Sequence, residues 1–98
     1  MIDKEQCLPG VRVIVNEKKT KWNEFLNIIH NGLICFPFSE QGTLPGNEIE
    51  LIPGTEIEII SKPKRFNDNG NQVKFKIINN DNILSTWWVS FKHKVNII

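Results

Sequence analysis

LIPGTEIEIISKPKR, the run from Leu51 to Arg65, carries the strongest structural signal in the chain. A Pro-Gly turn opens it, an alternating stretch follows, and a basic cluster closes it. Ile57 and Ile59 alternate with Glu56 and Glu58, which predicts a strand with one buried and one wet face. QVKFKII, Gln72 to Ile78, repeats the pattern, with Val73, Phe75 and Ile77 alternating with Lys74 and Lys76. An antiparallel register placing Glu58 opposite Lys74 and Glu56 opposite Lys76 also sets Ile57 against Phe75 and Ile59 against Val73. A slip of one residue would turn Phe75 into water, so the faces are strongly specified. Asn67 to Asn71, NDNGN, joins the two stretches with residue types that tolerate left-handed backbone.

The same turn chemistry recurs nearby. PGNEIELI from Pro45 runs straight into PGTEIEII from Pro53, too few and too short copies for a solenoid. An L-Pro-Gly pair favours a type II turn, whose twist splays flanking strands, so Ile52 to Thr55 is a corner and not a hairpin tip. Upstream, Leu8-Pro9-Gly10 is a turn, and Val11, Val13 and Val15 alternate with Arg12 and Ile14 in a first strand. Thr20 to His30 changes period: Trp22, Phe25, Leu26 and Ile29 form one helical stripe between a Thr20 cap and an Asn31-Gly32 stop. Leu33 to Phe38, LICFPF, contains Pro37, which predicts an edge or bulged strand. Asn79 to Ser85 is a loop. Thr86 to Lys92, TWWVSFK, is expected to be a strand with Trp87, Val89 and Phe91 inward and Trp88, Ser90 and Lys92 outward, and Val95 to Ile98 a short last strand.

The fold class that follows is mainly β with one helix at about 20–30, a small antiparallel barrel or rolled sheet of five to six short strands, in one domain over residues 1–98. NEIELIPGTEIEII resembles the divergent turn and following strand of SH3-type domains, and STWWV resembles that family's paired tryptophans. The resemblance covers about a third of the chain and implies an SH3-like small β-barrel. QVKFKII stands between the two motifs, and the chain has no tyrosine, so recognition of proline-rich peptides in an aromatic groove is not implied.

No apolar run reaches the roughly 20 residues that span a bilayer, and MIDKEQCLPG lacks an apolar signal core. A cytoplasmic protein is expected. Cys7 and Cys35 lack paired spacing and read as reduced thiols. The richness in Ile, Asn and Lys suggests an AT-rich genome, such as a phage or a low-GC bacterium.

Charge is distributed unevenly. Glu40 to Glu58 holds five acids and no base, whereas Ile60 to Ile98 holds seven bases against Asp68 and Asp81. A catalytic reading finds little purchase. His30 and His93 are far apart in sequence, Asp68-Asn69-Gly70 lacks the spaced acids of a calcium loop, and Glu56 and Glu58 are set to face lysines. No catalytic residue, metal or cofactor is assigned, and the chain is read as non-enzymatic. The remaining constellation is an outward Trp88 among Lys92, Lys74, Lys76, Arg65, Lys64 and Lys94, the pattern of a surface that stacks a base and neutralises phosphate. A binding protein for an anionic ligand, nucleic acid or nucleotide-like, is the leading expectation. One alternative is a protein-interaction module, such as a phage-encoded inhibitor of a host protein, using Glu48 to Glu58 or Ile14 and Ile60. A self-assembling subunit pairing through the Pro37 edge is the other.

Overall fold

The computed structural model describes residues 1–16, 32–38, 47–68 and 70–98. The helix expected at Thr20 to His30 lies outside the described residues. Among the described residues there are eight strands: β1 (Arg12–Val15), β2 (Leu33–Pro37), β3 (Ile49–Leu51), β4 (Glu56–Ile59), β5 (Lys64–Asn67), β6 (Gly70–Ile77), β7 (Leu84–Trp87) and β8 (Val95–Ile97). A 3-10 turn spans Lys4–Gln6, and a helix, α1, spans Trp88–Lys94. All strand pairs are antiparallel, in the order β3-β2-β7-β6-β4-β1-β8, with β5 on β6 beyond the end of β4. The path does not close. It does roll, because Leu51 of β3 and Val95 of β8 share one buried cluster with Val13, Ile57, Ile59, Val73 and Phe75.

The alternation governs which residues form that cluster. Ile57, Ile59, Val73, Phe75 and Val13 are all fully buried, as period 2 requires of a sheet with one face inward. The register between the two central strands differs from the expected one by two residues: Glu58 pairs with Lys76 and Ile59 with Phe75. The offset begins at the hairpin, where Lys64 already pairs with Gln72, four residues from the expected register, and Ile60 to Pro63 takes back two of the four. The amides of Ile60 and Ser61 both donate to the Lys74 carbonyl, at 2.9 and 3.3 Å, so two extra residues bulge out here. Beyond the bulge β5 resumes along β6 with Lys64 opposite Gln72. A shift of two preserves the faces, which is why the core is unchanged.

Ile52 to Thr55 is a corner. β3 pairs with β2, whereas β4 pairs with β1 and β6, so the strands on either side of Pro53-Gly54 do not touch as a hairpin. Gly54 has φ 95°, Thr55 N donates to Ile52 O at 3.2 Å, and Gly54 N donates to Val15 O at 2.8 Å. β2 has β3 beside Leu33 to Cys35 and β7 beside Phe36 and Pro37. Phe38 N donates to Ile83 O, so by alternation the Pro37 nitrogen faces the side where β3 has already ended. The proline is thus locally at an edge, although its strand has neighbours on both flanks.

The expected strand at Thr86 to Lys92 is corrected. β7 stops at Trp87, and Trp88 begins α1. The helix buries Trp88 and Phe91 at spacing i, i+3, and Phe91 stacks on Phe75 at 5.5 Å between centroids. Trp88 is 7% exposed and lies 6.3 Å from Phe91, whereas Val89, expected inward, is 65% exposed. Lys92, His93 and Lys94 occupy the last turn, where cations suit the helix dipole. Ile2 N donates to Lys92 O, which fastens the N-terminal segment over α1.

Candidate functional site

The outer face of β5 and β6 is assembled by cross-strand pairing. Lys64 opposes Gln72, and Gln72 opposes Trp87 on its other side, so the three side chains share the face away from the core. Lys74 comes next along the same face, opposite Ser85, which itself opposes Phe36. The Ile60 to Pro63 bulge carries Lys64, Arg65 and Phe66 past the end of β4, where they stand free of its acidic side chains.

A groove of about 510 Å³ forms there, lined by Phe38, Ser61, Lys64, Arg65, Phe66, Gln72 and Lys74. Lys74 Nζ sits 4.0 Å from the centre of the Phe38 ring, a cation held over an aromatic face. Phe66 is 39% exposed and meets Trp87 edge to face at 6.2 Å and 74°. Gly70 lies beside that indole at φ 139°, a backbone conformation that favours glycine. A second hollow, about 410 Å³, lies against Gly70, Asn71, Trp87 and Val89. Phe66 borders the first and Trp87 the second, so the ring pair stands between them.

The groove is electropositive. Among the described residues one ion pair involves its three cations: Arg65 Nη2 bonds Asp68 Oδ1 at 3.0 Å, and both groups are well exposed. Such a surface pair contributes at most about 1 kcal/mol, so a ligand phosphate competes with it readily. Gln72 is the buried polar member. It is 8% exposed, and its Nε2 has no hydrogen-bond partner among the described residues.

The seven residues expected to form one surface are distributed over five places. Lys64, Arg65 and Lys74 meet in the groove. Lys76 lies opposite Glu58 of β4, whose carboxylate is 3.9 Å from Arg12 Nε, and it is not among the groove residues. Trp88 does not point outward; it belongs to the core, because the chain turns helical at that residue. Lys94 is 3% exposed on the buried side of α1. Lys92 borders a different hollow with Trp88, Met1, Asp3 and Glu5. Phe38, Phe66, Gln72 and Trp87 replace Trp88 as the ring and amide elements of the site. Alternation alone marked Gln72 as sharing the face of Lys74, whereas Phe38 and Phe66 reach the groove only through the path of the chain.

Among the described residues no group of three His, Cys, Asp or Glu side chains is placed to hold a metal ion, and no helix is long and apolar enough to cross a membrane. Cys7 and Cys35 are both buried free thiols. Burial pushes Cys7 up to about 11 and Cys35 up to about 12. At pH 8 this leaves about 100-fold less thiolate at Cys7 than in an exposed cysteine, and about 1000-fold less at Cys35. Both thiols are therefore expected to be silent to Ellman's reagent in the native protein and to react fully in denaturant; rapid native labelling of either would contradict its placement. No protein-family model matches the chain, and neither curated proteins nor solved structures give a match.

Proposed function

We propose that the chain is a non-catalytic binding protein that takes a nucleic acid or nucleotide-like ligand in the groove between Phe38 and Phe66. The observation that supports it is the convergence of Lys64, Arg65 and Lys74 with two phenylalanine rings around one opening. Phosphate needs mobile cations at the rim, and a base needs a flat apolar face. Phe66 supplies the exposed face, and Lys74 is held in place by its contact with Phe38.

The reading sets the size of the salt effect. Three phosphate contacts on a single strand give a slope of about −2 in log affinity against log salt, or about a 20-fold loss between 50 and 200 mM. The check is fluorescence anisotropy of a labelled single-stranded oligonucleotide across that range, with the double variant Lys64→Glu/Lys74→Glu beside the native protein. The double variant is expected to lose about 100-fold in affinity at low salt and to flatten the slope. Affinity that is independent of salt, or unchanged in the double variant, would reject the groove as a phosphate site.

A second reading has its own support. At the β3 end of the sheet Ile49 and Ile52 are exposed beside Glu48 and Glu56, an apolar and acidic strip suited to a basic protein partner. Recovery of a protein partner that is lost on Ile52→Lys, with no oligonucleotide binding, would favour this reading over the first.

A further inference from the structure

The groove and the smaller hollow beside it share one wall. That wall is the ring pair: Phe66 lines the groove, Trp87 lines the hollow, and their centroids are 6.2 Å apart. The openings measure about 510 and 410 Å³, both within the range of about 300–1,000 Å³ that small-ligand sites occupy.

The two linings differ in charge. Lys64, Arg65 and Lys74 line the groove, whereas Gly70, Asn71, Trp87 and Val89, the described lining of the hollow, are all neutral. Val89 is 65% exposed there. An exposed valine alone is unremarkable, but beside Trp87 and the exposed Phe66 it extends an apolar surface that begins in the groove. The hollow therefore suits an uncharged flat group that arrives tethered to a charged one.

Arg65 links the two openings. It lines the groove, and in the β5–β6 ladder it lies directly opposite Asn71, which lines the hollow. Its ion pair with Asp68 is exposed, so a ligand phosphate can displace it. A strand whose phosphate meets Arg65 can carry one base to the Phe66 side and the next to the Trp87 side. Proteins that bind single strands place successive bases on neighbouring aromatic side chains in this way, without regard to sequence, because every base has a flat face.

We propose that the hollow is a second base subsite, so that the smallest complete ligand is a dinucleotide step of a single strand and not a mononucleotide. This rests on the reading of the groove as a nucleic-acid site and adds to it the length of ligand that the protein holds. Phe66 takes one base, Trp87 and Val89 take the next, and Arg65 takes the phosphate between them.

The test is displacement of a labelled oligothymidylate, followed by fluorescence anisotropy, with three competitors. One is the 5′-phosphorylated thymidine dinucleotide; the other two are the same molecule lacking its first or its second base. All three carry the same charge, so differences among them report base contacts alone. The complete dinucleotide is expected to displace the label at about tenfold lower concentration than either abasic analogue, the scale of one stacked base. Val89→Glu then places a carboxylate on the hollow at an exposed position, and circular dichroism checks that the fold is kept. In this variant the advantage over one analogue should vanish and that over the other persist, since Phe66 is untouched; the added negative charge itself acts on all three competitors alike. An advantage over one analogue or neither in the native protein, advantages over both that survive Val89→Glu, or a bound label that the dinucleotide cannot displace overturns the subsite and leaves the groove reading intact. Absence of salt-dependent binding of the label overturns both.

Discussion

Trp88→Ala is expected to destabilise the protein by about 3–5 kcal/mol, enough to leave a small domain barely folded. The adjacent change Trp87→Ala is expected to cost no more than about 1–2 kcal/mol. The two indoles differ by one position and by their whole environment. Trp88 opens α1, lies against Phe91 and contributes to the same buried cluster as Phe75 and Val95. Its removal leaves a cavity lined by rings that cannot collapse without moving the helix off the sheet. Trp87 is half-buried on the outer face, touching Phe66 edge to face over Gly70. Urea unfolding followed by circular dichroism gives both values, with a lower midpoint at constant slope as the expected pattern for Trp88→Ala. The functional readout should run the other way: Trp87→Ala, through loss of support for Phe66, is expected to weaken oligonucleotide binding several-fold at nearly normal stability. A larger stability loss at Trp87 than at Trp88 would show that α1 is misplaced.

That pair of tryptophans also marks the limit of what the sequence discloses. In WWVSFKHKV a period of two puts Trp87, Val89 and Phe91 on one face, and a helical period puts Trp88, Phe91 and Val95 on one face. Both templates are satisfied, and the aromatic and β-branched composition favours the strand. Phe75 decides the matter, since it presents a ring for Phe91 at 5.5 Å, a tertiary contact that no local pattern contains. The strands around Ile57, Phe75 and Val13 were legible for the opposite reason: one face buried and one wet leaves a single assignment of side chains. Their register was not, because registers two apart have the same faces, and the hairpin that pairs Lys64 with Gln72 and the bulge at Ser61 together select one of them. The site follows the same division. Lys64, Arg65 and Lys74 are visible as a basic cluster flanking a strand, whereas Phe38 is distant in sequence and joins them only because β2 lies beside β7, and β7 beside β6.

Gly32→Ala is expected to cost about 2–3 kcal/mol, although alanine is the smallest possible addition. Gly32 precedes β2, and a Cβ there would stand 1.9 Å from the carbonyl oxygen of Leu51, 2.8 Å from its carbonyl carbon and 3.2 Å from Ile52 Cα. All three are backbone atoms, so no side chain can rotate away. Leu33 pairs with Leu51, which means the methyl group would strike the strand beside it at the point where β3 becomes the corner. The corner cannot retreat freely, because Gly54 N donates to Val15 O at 2.8 Å and Val15 N donates to Thr55 O at 2.9 Å. Strain therefore has two outlets, release of β3 from β2 or a shift of the corner against β1. Gly10→Ala is the fitting control. A Cβ at Gly10 meets nothing within 4 Å, and its cost comes only from φ 89°, about 1–2 kcal/mol. The two variants should thus differ in where they loosen the protein as well as in how much. Amide hydrogen exchange is expected to show faster exchange across Ile49–Leu51 in Gly32→Ala and near-native protection there in Gly10→Ala. Equal protection of that strand in both variants would mean that β3 does not lie against Gly32 as described.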